Sequence, residues 1–265
     1  MKDYQIQNSN ILIIPDIHQD LDFADHAIKN EEGNFDYIIF LGDYFDTHKK
    51  DDSVYPVKDV CFWLLQKQKD YGERAKFIIG NHDLQYYEYS LHFNSDRTRN
   101  HANRLFYACG GITNNKCKII AKNLDLSFWR SCRMFYVCNN YLLSHAGLHE
   151  SFWFPDNLYS TEECLDKVNR RCEFALLEMK FNHDQILDAG EVRGGQKGTI
   201  GGINWLDWYE EFNDSLPIPQ IVGHSCGSTP RTNGKSFCID CDQKYYGLLN
   251  KNGLFEIKDK EGNVW

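Results

Sequence analysis

Apolar residues along this chain cluster at spacings that switch between those of strands and those of helices. Ile11–Ile14 is a short, continuous, β-branched apolar run, the pattern of a strand covered on both faces. Asp20 is placed to cap a helix over 21–29, with Phe23, Ala24, Ala27 and Ile28 on one face. Residues 37–41 predict a second strand. Val57, Val60, Cys61, Leu64 and Leu65 then recur at helical spacing, and Gly72 falls where a C-terminal cap belongs. Residues 76–79 make a third strand. The order βαβαβ predicts a sheet whose first strands run parallel.

Beyond residue 133 the pattern changes. Residues 134–137 and 141–144 flank Asn139-Asn140 and predict a hairpin. Ser160-Thr161-Glu162-Glu163 has the capping-box pattern and opens a helix reaching about residue 180. Residues 220–222, 236–239 and 245–249 predict further strands, the last turning at 250–253 into 254–257. The expected fold class is α/β (α+β): a central β-sandwich flanked by helices. It forms one domain over 1–265, with insertions at about 85–133 and 150–205.

Composition narrows the function. At 42% hydrophobic and 14% aromatic, 265 residues supply one sizeable core. Lys and Arg number 29 against 38 Asp and Glu, a net charge of −9, so a generic nucleic-acid-binding surface is not expected. A phosphorylated substrate remains compatible, because bound metal ions supply positive charge locally. Residues 1–10 carry no apolar signal segment, and no apolar run approaches the roughly 18 residues of a membrane span. A cytoplasmic protein with no membrane partner is expected. The ten cysteines then read as reduced, mostly buried thiols. Cys238 and Cys241 form a lone C-x-x-C, read as buried strand packing ahead of zinc or redox chemistry.

The candidate chemistry lies where the predicted strands end. Asp16-Ile17-His18 follows the first strand, Gly42-Asp43-Tyr44-Phe45-Asp46 the second, and Gly80-Asn81-His82-Asp83 the third. His145 follows 141–144, and Gly223-His224 follows 220–222. The carboxyl ends of strands line the functional crevice of open α/β sheets. Carboxylate, amide oxygen and imidazole together suit Mn, Fe or Zn better than an all-oxygen Mg or Ca cage. One carboxylate can bridge two ions about 3.5–4 Å apart. The glycines at 42, 80 and 223 are expected to let the backbone turn sharply.

The ordered series D-x-H, G-D-x-x-D, G-N-H-D, H-A-G and G-H, from Asp16 to His224, resembles the calcineurin-like metallophosphoesterase superfamily. It is most similar to the serine/threonine phosphoprotein phosphatase branch, including its compact phage and bacterial members, and Ile239-Asp240 resembles that group as well. The resemblance implies two divalent metal ions, Mn first, with Fe, Zn or Ni as alternatives. Asp16 and His18 would bind the first ion, Asp43 would bridge, and Asn81, His145 and His224 would bind the second. His82 would be the general acid, oriented by Asp46, and a hydroxide bridging the ions would attack phosphorus in line. Pro15 and Gln19 stand where the branch has glycines, and Thr47-His48 where it has Arg-Gly.

That missing arginine normally grips the substrate phosphate, so either another group reaches in or the arginines are solvated and the metals alone hold the phosphate. Arg97, Arg99 and Arg104 in the first insertion, Arg193 in a glycine-rich stretch expected to be a flexible surface loop, and His48 are the candidates. His149 also lies near a motif, and His92 and His101 accompany the arginines. His26 and His183 read as surface residues, and Trp205 and Trp208, at i, i+3, as core. The leading function is phosphomonoester hydrolysis, of the serine/threonine phosphatase type. The alternatives are a phosphodiesterase or dinucleoside polyphosphate hydrolase, and a non-catalytic scaffold of the same fold. Every ligand and His82 are present, against the scaffold, and Gly223-His224-Ser225-Cys226 lacks the G-H-x-H of diesterase relatives.

Overall fold

Strand β2 (Ile11–Ile14) is buried along its whole length, and its alternate residues serve two cores. Ile11 and Ile13 join an inner apolar layer, whereas Leu12 and Ile14 join an outer one. Parallel to it lie β3 (Tyr37–Phe40) and then β4 (Ala75–Phe77). The computed structural model describes residues 2–50, 53–93, 109–154, 158–179 and 184–265. Short β1 (Gln5–Ile6) precedes β2; among the later strands are β5 (Phe135–Cys138), β6 (Tyr141–Ser144) and β7 (Gln220–Val222). They are followed by β8 (Arg231–Asn233), β9 (Ser236–Cys238), β10 (Tyr245–Leu249) and β11 (Phe255–Asp259).

Two mixed sheets result, one ordered β11-β10-β2-β3-β4 and the other β1-β5-β6-β7-β9-β8. Between them Ile11, Ile13 and Ile39 of the first sheet meet Tyr136, Leu143 and Ile221 of the second, so the fold is a mixed α/β sandwich. Burying each such side chain is worth about 1.5–3 kcal/mol relative to leaving it exposed. The expected hairpin is present: β5 and β6 pair antiparallel, and Asn139 and Asn140 both take positive φ. The third strand is shorter than predicted, because Ile78 makes only an isolated bridge to Arg133. Strands β1 and β8 were not expected; each is too short to carry an alternating pattern.

The helices cover the outer faces. Helix α1 (Leu21–Asn30) starts at Asp20, whose carboxylate accepts from the Phe23 amide. Helix α2 (Val57–Tyr71) ends at Gly72, φ +54°. Helix α3 (Asn81–His92) begins on the third chemical motif itself. Helix α4 (Asn114–Asn123) packs on α2 and α3, and α5 (Leu126–Ser131) on α3. Helix α6 (Thr161–Glu178) carries the predicted capping box between Ser160 and Glu163. Among the described residues no helix is long and apolar enough to cross a membrane. Nine of the ten cysteines are buried, and Cys238 donates to the Gly223 carbonyl inside its strand packing.

Candidate metal centre

Each strand-end motif turns its side chain into one place, and the backbone bends to do so. His18, Asp43, Asp46 and His224 all have positive φ, between 45° and 66°. Such conformations are uncommon away from glycine and cluster at functional sites. Gly42 makes the expected sharp turn, with φ +105°. Gly80 and Gly223 do something else: neither has positive φ. A Cβ at Gly80 would overlap Asp43 Oδ1, and one at Gly223 would overlap Asp16 Oδ2. These glycines admit a carboxylate against the backbone.

Backbone amides then hold both carboxylates. Asp16 accepts from the His224 amide at 3.1 Å, and Asp43 Oδ1 from the His82 amide at 3.0 Å. That leaves Asp43 Oδ2 between two imidazoles, 3.8 Å from His18 Nε2 and 3.5 Å from His145 Nε2. Two groups of candidate ligand atoms therefore share Asp43: Asp16 with His18, and His145 with His224, all within 4.8 Å inside each group. Asp83 clamps the loops behind them, accepting from the amides of Asp43, Tyr44 and Gly80 at 2.7–3.1 Å.

The protonation pattern fits a cation. His145 Nδ1 lies 2.9 Å from the Leu41 carbonyl, which can only accept, so Nδ1 carries the proton and Nε2 a lone pair. That lone pair faces Asn81 Oδ1 at 2.9 Å and His224 Nδ1 at 3.2 Å. Asn81 Nδ2 points away, to Cys109 Sγ at 3.2 Å, which fixes the amide with its oxygen inward. His145 Nε2 and Asn81 Oδ1, two acceptors 2.9 Å apart at a buried point, repel each other unless a cation or the His224 ring proton sits among them. His18 is oriented likewise, its Nδ1 at 3.2 Å from the Phe45 carbonyl and its Nε2 inward. Burial keeps both imidazoles neutral, pushing His18 down to about 4 and His145 down to about 3. Burial, and the nearby carboxylates of Asp240 and Asp43, push Asp16 up; burial and Asp83 push Asp43 up. A bound cation reverses that penalty.

His82 stands beside this ring without joining it. Its Nδ1 is 3.2 Å from Asp46 Oδ2, and its ring meets His18 edge-on with centroids 5.6 Å apart. Burial alone would raise the Asp46 carboxyl, but hydrogen bonds from His82, Lys116 and Tyr86 outweigh it and hold it below the usual range. The cleft in front holds about 710 Å³ and is lined by His82, His224, Arg193, Trp205, Asp207 and Asp240, among others. His48 is exposed on its rim.

Of the four arginines expected at the phosphate, Arg193 lies in the cleft; Arg97, Arg99 and Arg104 lie outside the described residues. Its Nη2 donates to Asp207 at 2.7 Å and to Ser225 Oγ at 2.8 Å. The loop carrying it lies on the surface as expected, with Glu191, Val192, Gln196 and Lys197 exposed, but it is anchored tightly. A Cβ at Gly190, Gly195, Gly201 or Gly202 would overlap neighbouring backbone, so these glycines serve close packing. His149 does not line the cleft, where His18 and His82 do. His26 is exposed on α1, Trp205 and Trp208 are buried as expected, and His101 and His183 lie outside the described residues. Sequence reasoning missed Asp83, Cys109, Lys116 and Asp207. Only Asp83 stood inside a quoted motif; the others reach the site from distant loops or α4.

Comparison with known proteins places the chain. The sequence profile of the calcineurin-like phosphoesterases matches residues 9–227, and the chain belongs to that family. It is therefore a metal-dependent phosphoesterase, a hydrolase whose family binds divalent metal ions. Among solved structures, a cold-active protein-tyrosine phosphatase of a psychrophilic Shewanella species superposes with a TM-score of 0.61 at 16% identity. That match covers 100% of this chain and 82% of the other. A putative diadenosine tetraphosphatase gives 0.51 at 13%, covering 96% of each chain. A serine/threonine phosphatase from Saccharomyces cerevisiae gives 0.51 at 15%, covering 96% and 82%. A search of curated proteins finds no match.

Proposed function

We propose that the enzyme hydrolyses phosphomonoesters, in the manner of a phosphoprotein phosphatase, with manganese as its preferred metal. Asp16 and His18 would hold one ion, Asn81, His145 and His224 the other, and Asp43 both. The observation that carries this reading is the single oxygen Asp43 Oδ2 standing between the two sets of inward lone pairs. When bound, two such ions supply Lewis acidity and a nucleophilic water at neutral pH. The chain supplies the rest. Arg193, its guanidinium held at Nη2 by Asp207 and Ser225, would present Nη1 to a phosphate dianion. His82, held by Asp46, gives its proton to the leaving oxygen as the phosphorus–oxygen bond breaks.

Monoester preference rests on Arg193 and on the chain's Ser225-Cys226 after His224. A dianionic phosphate uses a guanidinium better than a diester monoanion does. A second reading, hydrolysis of dinucleoside polyphosphates, is favoured by exposed Tyr209 in the cleft lining, which offers a base a stacking face. Turnover measured with added Mn separates them. The proposal expects para-nitrophenyl phosphate and phosphopeptides to be cleaved faster than bis-para-nitrophenyl phosphate and diadenosine tetraphosphate. Faster cleavage of either of the latter two contradicts it.

A further inference from the structure

Asp46 receives more than His82. Its carboxylate, 1% exposed, accepts from the Tyr86 hydroxyl at 2.7 and 2.8 Å and from Lys116 Nζ at 2.6 Å. The Lys116 bond goes to Oδ1, while His82 Nδ1 faces Oδ2 at 3.2 Å. Lys116 stands in the first turn of α4, seventy residues from Asp46, and its backbone is fixed by the Thr113 cap, which accepts from the Lys116 amide at 3.2 Å. A Cβ at Gly111, just before that cap, would come within 3.1 Å of Asp46 Cβ, so the same connection presses on the acid. Lys116 does not line the cleft, whereas His82 does. Among the described residues its contact with the site is the Asp46 carboxylate.

We propose that Lys116 is a positioning residue for phosphoester cleavage: its ammonium pins Asp46 Oδ1 so that Oδ2 is left to orient the His82 ring. This rests on the reading of His82 as proton donor. Three hydrogen-bond donors on a carboxylate with two oxygens leave it little freedom to rotate. Removing the ammonium leaves the Tyr86 hydroxyl, which touches both oxygens and selects neither. The His82 ring then loses its fixed partner, and proton delivery suffers while metal and phosphate binding do not. The competing account is that the ion pair merely fastens α4 to the body of the protein. An anchor would disturb all substrates alike.

The test compares metal-loaded Lys116→Met, Lys116→Arg and His82→Asn enzymes on para-nitrophenyl phosphate and phenyl phosphate. Lys116→Met is expected to lose roughly tenfold in kcat on phenyl phosphate, with KM within twofold and a much smaller loss on the activated ester. Lys116→Arg, which keeps the charge, should recover most of that loss. In the His82→Asn background, Lys116→Met should cost nothing further, because partners acting as one unit are not additive. Equal losses on both esters, or full additivity, overturn the positioning role. If Lys116→Met does not fold, Lys116→Gln with its melting temperature recorded takes its place. If His82→Asn itself shows no leaving-group selectivity, the acid reading fails and this inference with it; selective loss in His82→Asn alone overturns only Lys116.

Discussion

The ring of strand-end ligands and the cleft wall facing it are built by different means. In the ring, backbone fixes the chemistry: amides of His82 and His224 hold the carboxylates, and carbonyls of Leu41 and Phe45 set the imidazoles. Each ligand sits within a few residues of a strand that cannot move without breaking a sheet. In the wall, side chains hold side chains. Arg193 depends on Asp207 and Ser225, and Asp46 depends on Tyr86 and Lys116 from α3 and α4. The ring is held by backbone, and the wall by contacts between side chains.

The largest effect should come from breaking the ring at its shared point. Asp43→Ala is expected to lower turnover by roughly 10³–10⁵-fold, the several kcal/mol of charge stabilisation a metal centre supplies. Bound metal, measured by elemental analysis, should fall by at least one ion per chain. Retention of two ions with near-normal turnover would remove the bridging role.

Next comes the boundary between ring and wall. His82→Asn should cost about 10²-fold or more on an unactivated ester and much less on an aryl ester with a good leaving group. Its metal content should match the parent. Loss of metal would mean that His82 belongs to the ring instead.

This boundary is also where reading from sequence stopped. Ring residues were legible because each follows a short apolar run, so strand and ligand announce each other: Ile11–Ile14 then Asp16, or 220–222 then His224. The sandwich was legible for the same reason, apart from β1 and β8, which are two and three residues long. The wall was not. Nothing near Lys116 or Asp207 in the chain marks them, because their partners lie seventy and fourteen residues away and depend on how α4 and the 184–218 segment pack. The glycines at 190–202 were legible as a surface loop but not as a tightly anchored one, because the same residue serves both.

A wall substitution should act more gently. Arg193→Ala is expected to lower kcat/KM by roughly tenfold, the loss of one charge-assisted hydrogen bond, with metal content unchanged. Asp207→Asn, which frees the guanidinium without deleting it, should cost less. Full activity in Arg193→Ala would place the phosphate grip elsewhere.

The smallest effect is a proton count. Burial and neighbouring carboxylates push Asp16 and Asp43 up from the usual carboxylate range, so without a cation this pair takes up protons at higher pH than free carboxylates do, and metal uptake competes with those protons. His18 and His145, pushed down to about 4 and about 3, are already neutral at pH 7 and release none. Metal affinity should therefore weaken as pH falls. Calorimetry in buffers of different ionisation enthalpy should show net proton release on Mn binding; none would mean both carboxylates are already ionised.

The central claim is that two ions share Asp43, and anomalous diffraction from crystals soaked in Mn tests it most directly. The account predicts two peaks about 3.5–4 Å apart, one beside Asp16 and His18 and one beside Asn81, His145 and His224, with Asp43 touching both. A single peak under saturating Mn, or two peaks with Asp43 touching neither, would contradict it.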